Sequence, residues 1–172
     1  MKKFLSLLLV LCLMLPVIAL AEDAPAIKLS QVQWAAHGNK CFAVITVAMD
    51  GDKIVAAYID EYQFMADTSI GVPNSDQPEG FAASYPEGKV LASKRVNNET
   101  YSASMANAGS TVALADNYAA IEAYVAGMTV AELEEALNGK TAAEAVDAVS
   151  GATLVDTLGY LQGILAAAKA AQ

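Results

Sequence analysis

At 172 residues with a formal net charge of −9 and a single histidine, the chain is long enough to bury one core and too acidic to hold a phosphate backbone, which excludes nucleic acid as a partner. Of its two cysteines, Cys12 lies in the N-terminal apolar run and only Cys41 lies beyond it. A disulfide framework, a CxxCH haem site and a cysteine-ligated cluster are therefore excluded as well.

The first 21 residues read as a secretory signal peptide. Lys2 and Lys3 precede an apolar run from Phe4 to Leu20, Pro16 interrupts it, and Ala19-Leu20-Ala21 supplies the small-x-small cleavage pattern. The mature domain then starts at Glu22 and runs to 172, with 8 basic and 19 acidic residues and hence a formal charge of −11. No later segment is apolar enough over a sufficient length to span a bilayer.

Gln31 to Ala36 and Cys41 to Met49 read as strands. The second is apolar on both sides, with Cys41, Ala43, Ile45, Val47 and Met49 on one and Phe42, Val44 and Ala48 on the other, which predicts cover on both faces. Asp50-Gly51-Asp52 predicts a hairpin into a third strand, Lys53 to Ile59. Asp50, Asp52, Asp60 and Glu61 lack calcium-loop spacing and read as solvated turn charge. Residues 66–89 are rich in Gly, Pro, Asn and Asp, a composition and length that predict a loop closing over a site or moving freely. The polar stretch from Lys94 to Ser110 carries no assignable pattern.

The C-terminal third is helical. Tyr118 to Ala126 is stopped by Gly127, Thr129-x-x-Glu132 and Thr141-x-x-Glu144 match the capping box, and Asn138-Gly139 ends the middle helix. Leu154, Leu158, Leu161, Leu165 and Ala168 recur at three- and four-residue spacing and predict a final amphipathic helix. The expected fold class is α+β, a small antiparallel β meander packed with C-terminal helices in a single domain.

Ser150-Gly151-Ala152-Thr153 stands where that last helix is expected to begin. A helix N-terminus offers unpaired N–H groups and partial positive charge to an anion. Thr153 placed there would suit a phosphoester, Gly151 allows positive φ, Ala152 leaves room beside the hydroxyl, and Ser150 could cap the helix or bond a phosphate oxygen. The same turn could also be a plain connection in which Ser150 or Thr153 caps the helix.

The run from Asp147 to Leu154 resembles the attachment signature of the extracytoplasmic FMN-binding domain family, in which a threonine hydroxyl carries FMN covalently through a phosphoester. The resemblance implies Thr153 as acceptor, with Asp147, Ser150, Gly151, Ala152 and Leu154 forming the motif around it. It further implies maturation outside the cytoplasmic membrane by a Mg-dependent flavin transferase that takes FMN from FAD. The implied role is an extracytoplasmic electron carrier, with a membrane oxidoreductase or an extracellular reductase as redox partner, rather than a stand-alone enzyme. Family members often have a hydroxyl residue two positions after the acceptor, where this chain has Val155. An exported binding module that kept the fold without the cofactor is the alternative.

A flavin ring needs a flat apolar wall and a few donors near its carbonyls. Tyr101, Tyr85 and Met65 are candidates for the wall, and Lys94, Asn97 and Asn98 for the donors. His37, beside Gly38-Asn39, reads as a surface residue without partners for a zinc site. Cys41 reads as an inert core thiol.

Overall fold

The computed structural model describes residues 26–172; the expected leader over residues 1–21 and the start at Glu22 lie outside the described residues. Four strands, β1 (Lys28–Trp34), β2 (Cys41–Asp50), β3 (Lys53–Ala66) and β4 (Lys89–Ser93), precede five helices, α1 (Asn98–Asn107), α2 (Leu114–Val125), α3 (Val130–Leu137), α4 (Ala142–Ala148) and α5 (Thr157–Ala170). The strands form one antiparallel sheet in the order β1-β2-β3-β4. The α+β class and the meander follow the sequence expectation.

The β2–β3 hairpin forms where the turn residues place it. Asp50 pairs with Lys53, and Gly51 takes the φ of +59° that so short a reversal requires. Alternation along β2 buries Ala43, Ile45, Val47 and Met49 completely. The opposite side is not sealed, contrary to expectation: Phe42, Phe64 and Tyr58 on that face retain 36%, 39% and 50% exposure. An antiparallel sheet tolerates one partly wetted face because its strands are joined by hairpins rather than by helical crossovers.

Helix α5 closes the buried side. Tyr160, Leu161, Ile164, Ala167 and Ala168 enter the same core as Ile45 and Val47. Two glycines let the helix come this close. A Cβ at Gly159 would stand 2.4 Å from the Ala36 carbonyl oxygen, and one at Gly163 would stand 2.4 Å from Ile45 Cδ1 and 2.8 Å from the Trp34 ring. Helix α2 adds Tyr118, Ile121 and Val125 to the core. The start of β3 is tied down by backbone bonds from Ile54 N–H to Met128 O (2.9 Å) and from Gly127 N–H to Ile54 O (2.7 Å). Both expected capping boxes are formed, at Thr129–Glu132 and Thr141–Glu144.

The first strand lies two to three residues earlier than read, at Lys28–Trp34, and α2 begins four residues earlier, at Leu114; three further differences matter to the site. Strand β3 runs seven residues past Ile59, to Ala66, because β4 pairs with its second half from Tyr62↔Ser93 to Ala66↔Lys89. The polar stretch after Lys94 folds into α1, which has no buried residue and no apolar stripe to announce it. The last helix starts at Thr157 with Asp156 as its N-cap residue. Thr153 is therefore not at a helix N-terminus, and neither Ser150 nor Thr153 caps α5.

Candidate functional site

Thr153 lies in the irregular segment between α4 and α5, exposed, at the wall of a cavity of about 470 Å³. Its neighbours there come from every layer of the fold. Glu61 arrives from β3, Lys94 from the end of β4, Tyr101 and Met105 from α1, Leu114 from α2, and Tyr160 from α5. His37 and Asp156 also line it and pair with each other through Nδ1 and Oδ2. That pair joins the β1–β2 connection to the start of α5.

The segment that carries Thr153 is held from below by a residue that sequence reasoning did not single out. Asn117, fully buried on α2, accepts from the Thr153 N–H at 2.6 Å and from the Thr153 hydroxyl at 3.3 Å. Its own amide nitrogen donates to Val112 O (3.2 Å) and Ala113 O (3.0 Å). Gly151, at φ +92°, makes the bend that brings the chain over α2, where a Cβ would touch that of Ala120 at 3.5 Å. Ala152 does not open space beside the hydroxyl as expected; it is buried in the core.

The cavity floor is an ionic and phenolic network. Lys94 and Glu61, 2% and 0% exposed, form a salt bridge through Nζ and Oε2. The Tyr160 hydroxyl donates to the same Oε2 at 3.0 Å, and Tyr118 OH lies 3.4 Å from Tyr160 OH. Lys94 Nζ also sits 4.9 Å from the Tyr101 ring centroid, a cation–π contact. Burial pulls the Lys94 ammonium down, but Glu61 more than offsets this and holds it above the ordinary lysine value. Burial, with Tyr118 and Glu61 beside it, pushes the Tyr160 phenol far up, and burial with Glu61 does the same to Tyr118. At neutral pH Lys94 is therefore a cation paired with Glu61, Tyr160 is a neutral phenol donating to that pair, and Tyr118 behind it is a second neutral phenol. The expectation that Asp60 and Glu61 are solvated turn charge is overturned: Asp60 is 8% exposed and accepts from the Ser93 hydroxyl at 2.6 Å, and Glu61 is fully enclosed.

Of the residues proposed from sequence, Thr153, Leu154, Lys94 and Tyr101 meet in this cavity. Met65 does not; it stands opposite Val90 near the far end of β3. Asn98 is committed elsewhere, its Oδ1 accepting from Ser102 Oγ (2.9 Å) and Ala115 N–H (2.8 Å) to clasp α1 to α2. Asn97 likewise accepts from Ile70 N–H and donates to the carbonyls of Ile70 and Ser93. Tyr85 packs edge-on against Phe64 and Phe81. No residue of the 66–89 segment is among those lining the cavity, so the cover comes from Ala108–Thr111 instead. Asp147, Ser150 and Gly151 are exposed outside it.

His37 is a surface residue as expected, although its ring borders the site. Cys41 donates to the His37 carbonyl at 2.8 Å, and burial followed by the nearby Glu61 pushes its thiol up to about 11. The expectation of a core thiol is corrected, because Cys41 opens β2 only half-buried and outside the core, but its raised value keeps it largely protonated and slow to react. Glu61 and Tyr160 were not singled out from the sequence, although Glu61 falls in the same inward phase of β3 as Ile59. No family model, no curated protein and no solved structure matches the chain.

Proposed function

We propose that this chain is an exported flavoprotein that carries FMN covalently on Thr153 and relays electrons between a membrane oxidoreductase or extracellular reductase and a further acceptor. The observation that carries the reading is the position of Thr153, an exposed residue open to a modifying enzyme and yet on the wall of a cavity of about 470 Å³. That volume lies within the range of small-molecule and cofactor sites. Export rests on the Lys2 to Ala21 pattern.

The residues present fit such a group. Met105, Leu114, Leu154 and the Tyr101 ring supply an apolar and aromatic wall, and Lys94 supplies a cation beside it. A buried carboxylate oxygen on Glu61 has no hydrogen-bond partner among the described residues. Bound FMN supplies the one- and two-electron chemistry; the protein tethers, orients and shields. Asn117 fixes the backbone of the tether, the wall excludes water from one side, and the Lys94–Glu61 pair keeps the enclosed floor close to neutral. Because Thr153 stands before α5 rather than at its first turn, its phosphate would be carried largely by solvent and not by a helix dipole. The exposed Asp147, Ser150 and Gly151 are left free for a flavin transferase to recognise.

Coexpression of the full chain with a flavin transferase tests the reading. The protein should remain coloured after denaturation, and Thr153→Ala should be colourless. A wild-type protein that stays colourless contradicts the proposal. Val155, 72% exposed on the cavity rim, is the one residue favouring a binding module without cofactor, because it departs from the family motif at a position the transferase would meet.

A further inference from the structure

Glu61 is the one cavity residue whose hydrogen bonding is half finished. Its Oε2 takes Lys94 Nζ and the Tyr160 hydroxyl at 3.0 Å, while Oε1 is buried with no partner among the described residues. A charged acceptor enclosed without a donor destabilises the fold, so such an atom is expected to serve an occupant. Beside it stands Lys94, whose ammonium has three donor hydrogens and is engaged by Glu61 and the face of Tyr101. An acceptor and a cationic donor next to each other match the N–H and C=O edge of a cyclic imide, and the adjoining Tyr101 ring and Leu154 offer planar and apolar contact.

We infer that Glu61 is a specificity-determining residue whose Oε1 accepts the imide N–H of a planar heterocycle in the cavity, with Lys94 donating to the adjacent carbonyl. The inference rests on the flavin reading and names the edge of the ring that faces inward, the pyrimidine imide rather than the dimethylbenzene side. It also explains why a carboxylate is kept at an inward position of β3 where the neighbouring inward residues, Ile59 and Ile45, are aliphatic.

The test uses the unmodified full-length mature protein, titrated with riboflavin and with 3-methylriboflavin, in which the imide N–H is blocked. Wild type should bind riboflavin about tenfold or more tightly than the methylated compound, as expected for one hydrogen bond to a charged acceptor. Glu61→Gln should abolish the preference in protein that is folded. Lys94 and Tyr160 would claim the glutamine carbonyl, leaving an amide donor where the acceptor had been. Circular dichroism and the melting temperature verify that the variant is folded, and Glu61→Asp is the fallback if it is not, since the shorter side chain should weaken the preference. Equal binding of both compounds by wild type, no binding of either, or a preference retained in Glu61→Gln as plain steric exclusion would each overturn the inference. Failure of the flavin tether is read separately: loading of Thr153 without an imide preference refutes the role of Glu61 alone, whereas an imide preference without loading refutes the tether alone.

Discussion

Replacing Asn117 by alanine should loosen the segment that carries Thr153 at a predictable cost. Four hydrogen bonds run through this amide: Oδ1 accepts from Thr153 N–H and hydroxyl, and Nδ2 donates to Val112 O and Ala113 O. Three of these are readily replaced. Water reaches the exposed Thr153 side chain, Ala113 O keeps the Asn117 backbone N–H as a donor at 3.0 Å, and Val112 O keeps the Ser110 hydroxyl at 3.0 Å. The Thr153 N–H bond is lost, contributing about 1 kcal/mol. The space left by the amide adds about 1 kcal/mol. The sum, about 2 kcal/mol, lies below the total stability of an ordinary domain, so the variant should remain folded at room temperature. Urea unfolding should show a lower midpoint with an unchanged slope, and the melting temperature should fall by about 4–8 °C. Native-state hydrogen exchange supplies the specific readout, because Thr153 should lose protection while Ala152, bonded to Val149 O, keeps most of its own. A loss below about 1 kcal/mol, or unchanged exchange at Thr153, would refute the clamp. Ser150→Ala, at an exposed position, is the matched control and should change stability by less than about 0.5 kcal/mol.

The close approach of α5 to the sheet predicts that Gly159→Ala costs about 3 kcal/mol and Gly163→Ala about 1–2 kcal/mol. The first sets a methyl against a backbone carbonyl and the second against side chains that can give; urea midpoints in the reverse order would contradict this packing. Lys94→Met should cost about 3–5 kcal/mol by leaving Glu61 buried without its cation. Because Lys94 is held above the ordinary value of 10.5, its stabilisation is complete below that pH and lost as pH rises through its folded value, so the gap to wild type should be flat near neutrality and narrow in strong base. A gap that widens there contradicts the pairing. With its thiol raised from 9.0 to about 11, Cys41 should alkylate with iodoacetamide at pH 8 about tenfold more slowly in the native than in the urea-unfolded protein, the loss of thiolate being partly offset by the greater nucleophilicity of a more basic thiolate; similar rates would contradict the raised thiol.

What the sequence disclosed was local and what it hid was distant. The hairpin at Gly51 and the caps at Thr129 and Thr141 depend on residues one to three apart, and each forms as read. The position of the last helix was misread because Leu154 continues the apolar spacing of Leu158, Leu161 and Leu165 although it packs on the core from irregular chain. Helix α1 left no trace because it turns no residue fully inward. The floor of the cavity was invisible for another reason: Glu61 and Lys94 are 33 residues apart, and each alone looks like surface charge. Only the pairing of β3 with β4 brings them inside together. Thr153, Leu154, Lys94 and Tyr101 were anticipated from residue type and motif, whereas Asn117, Glu61 and Tyr160 needed the tertiary fold.

The central claim turns on one bond, the ester at Thr153. Trypsin digestion of protein coexpressed with a flavin transferase should release the peptide Thr141–Lys169 carrying the mass of one FMN residue, with fragmentation assigning it to Thr153 rather than Ser150 or Thr157. The same peptide recovered at its unmodified mass, or flavin mapped to another residue, would contradict the account.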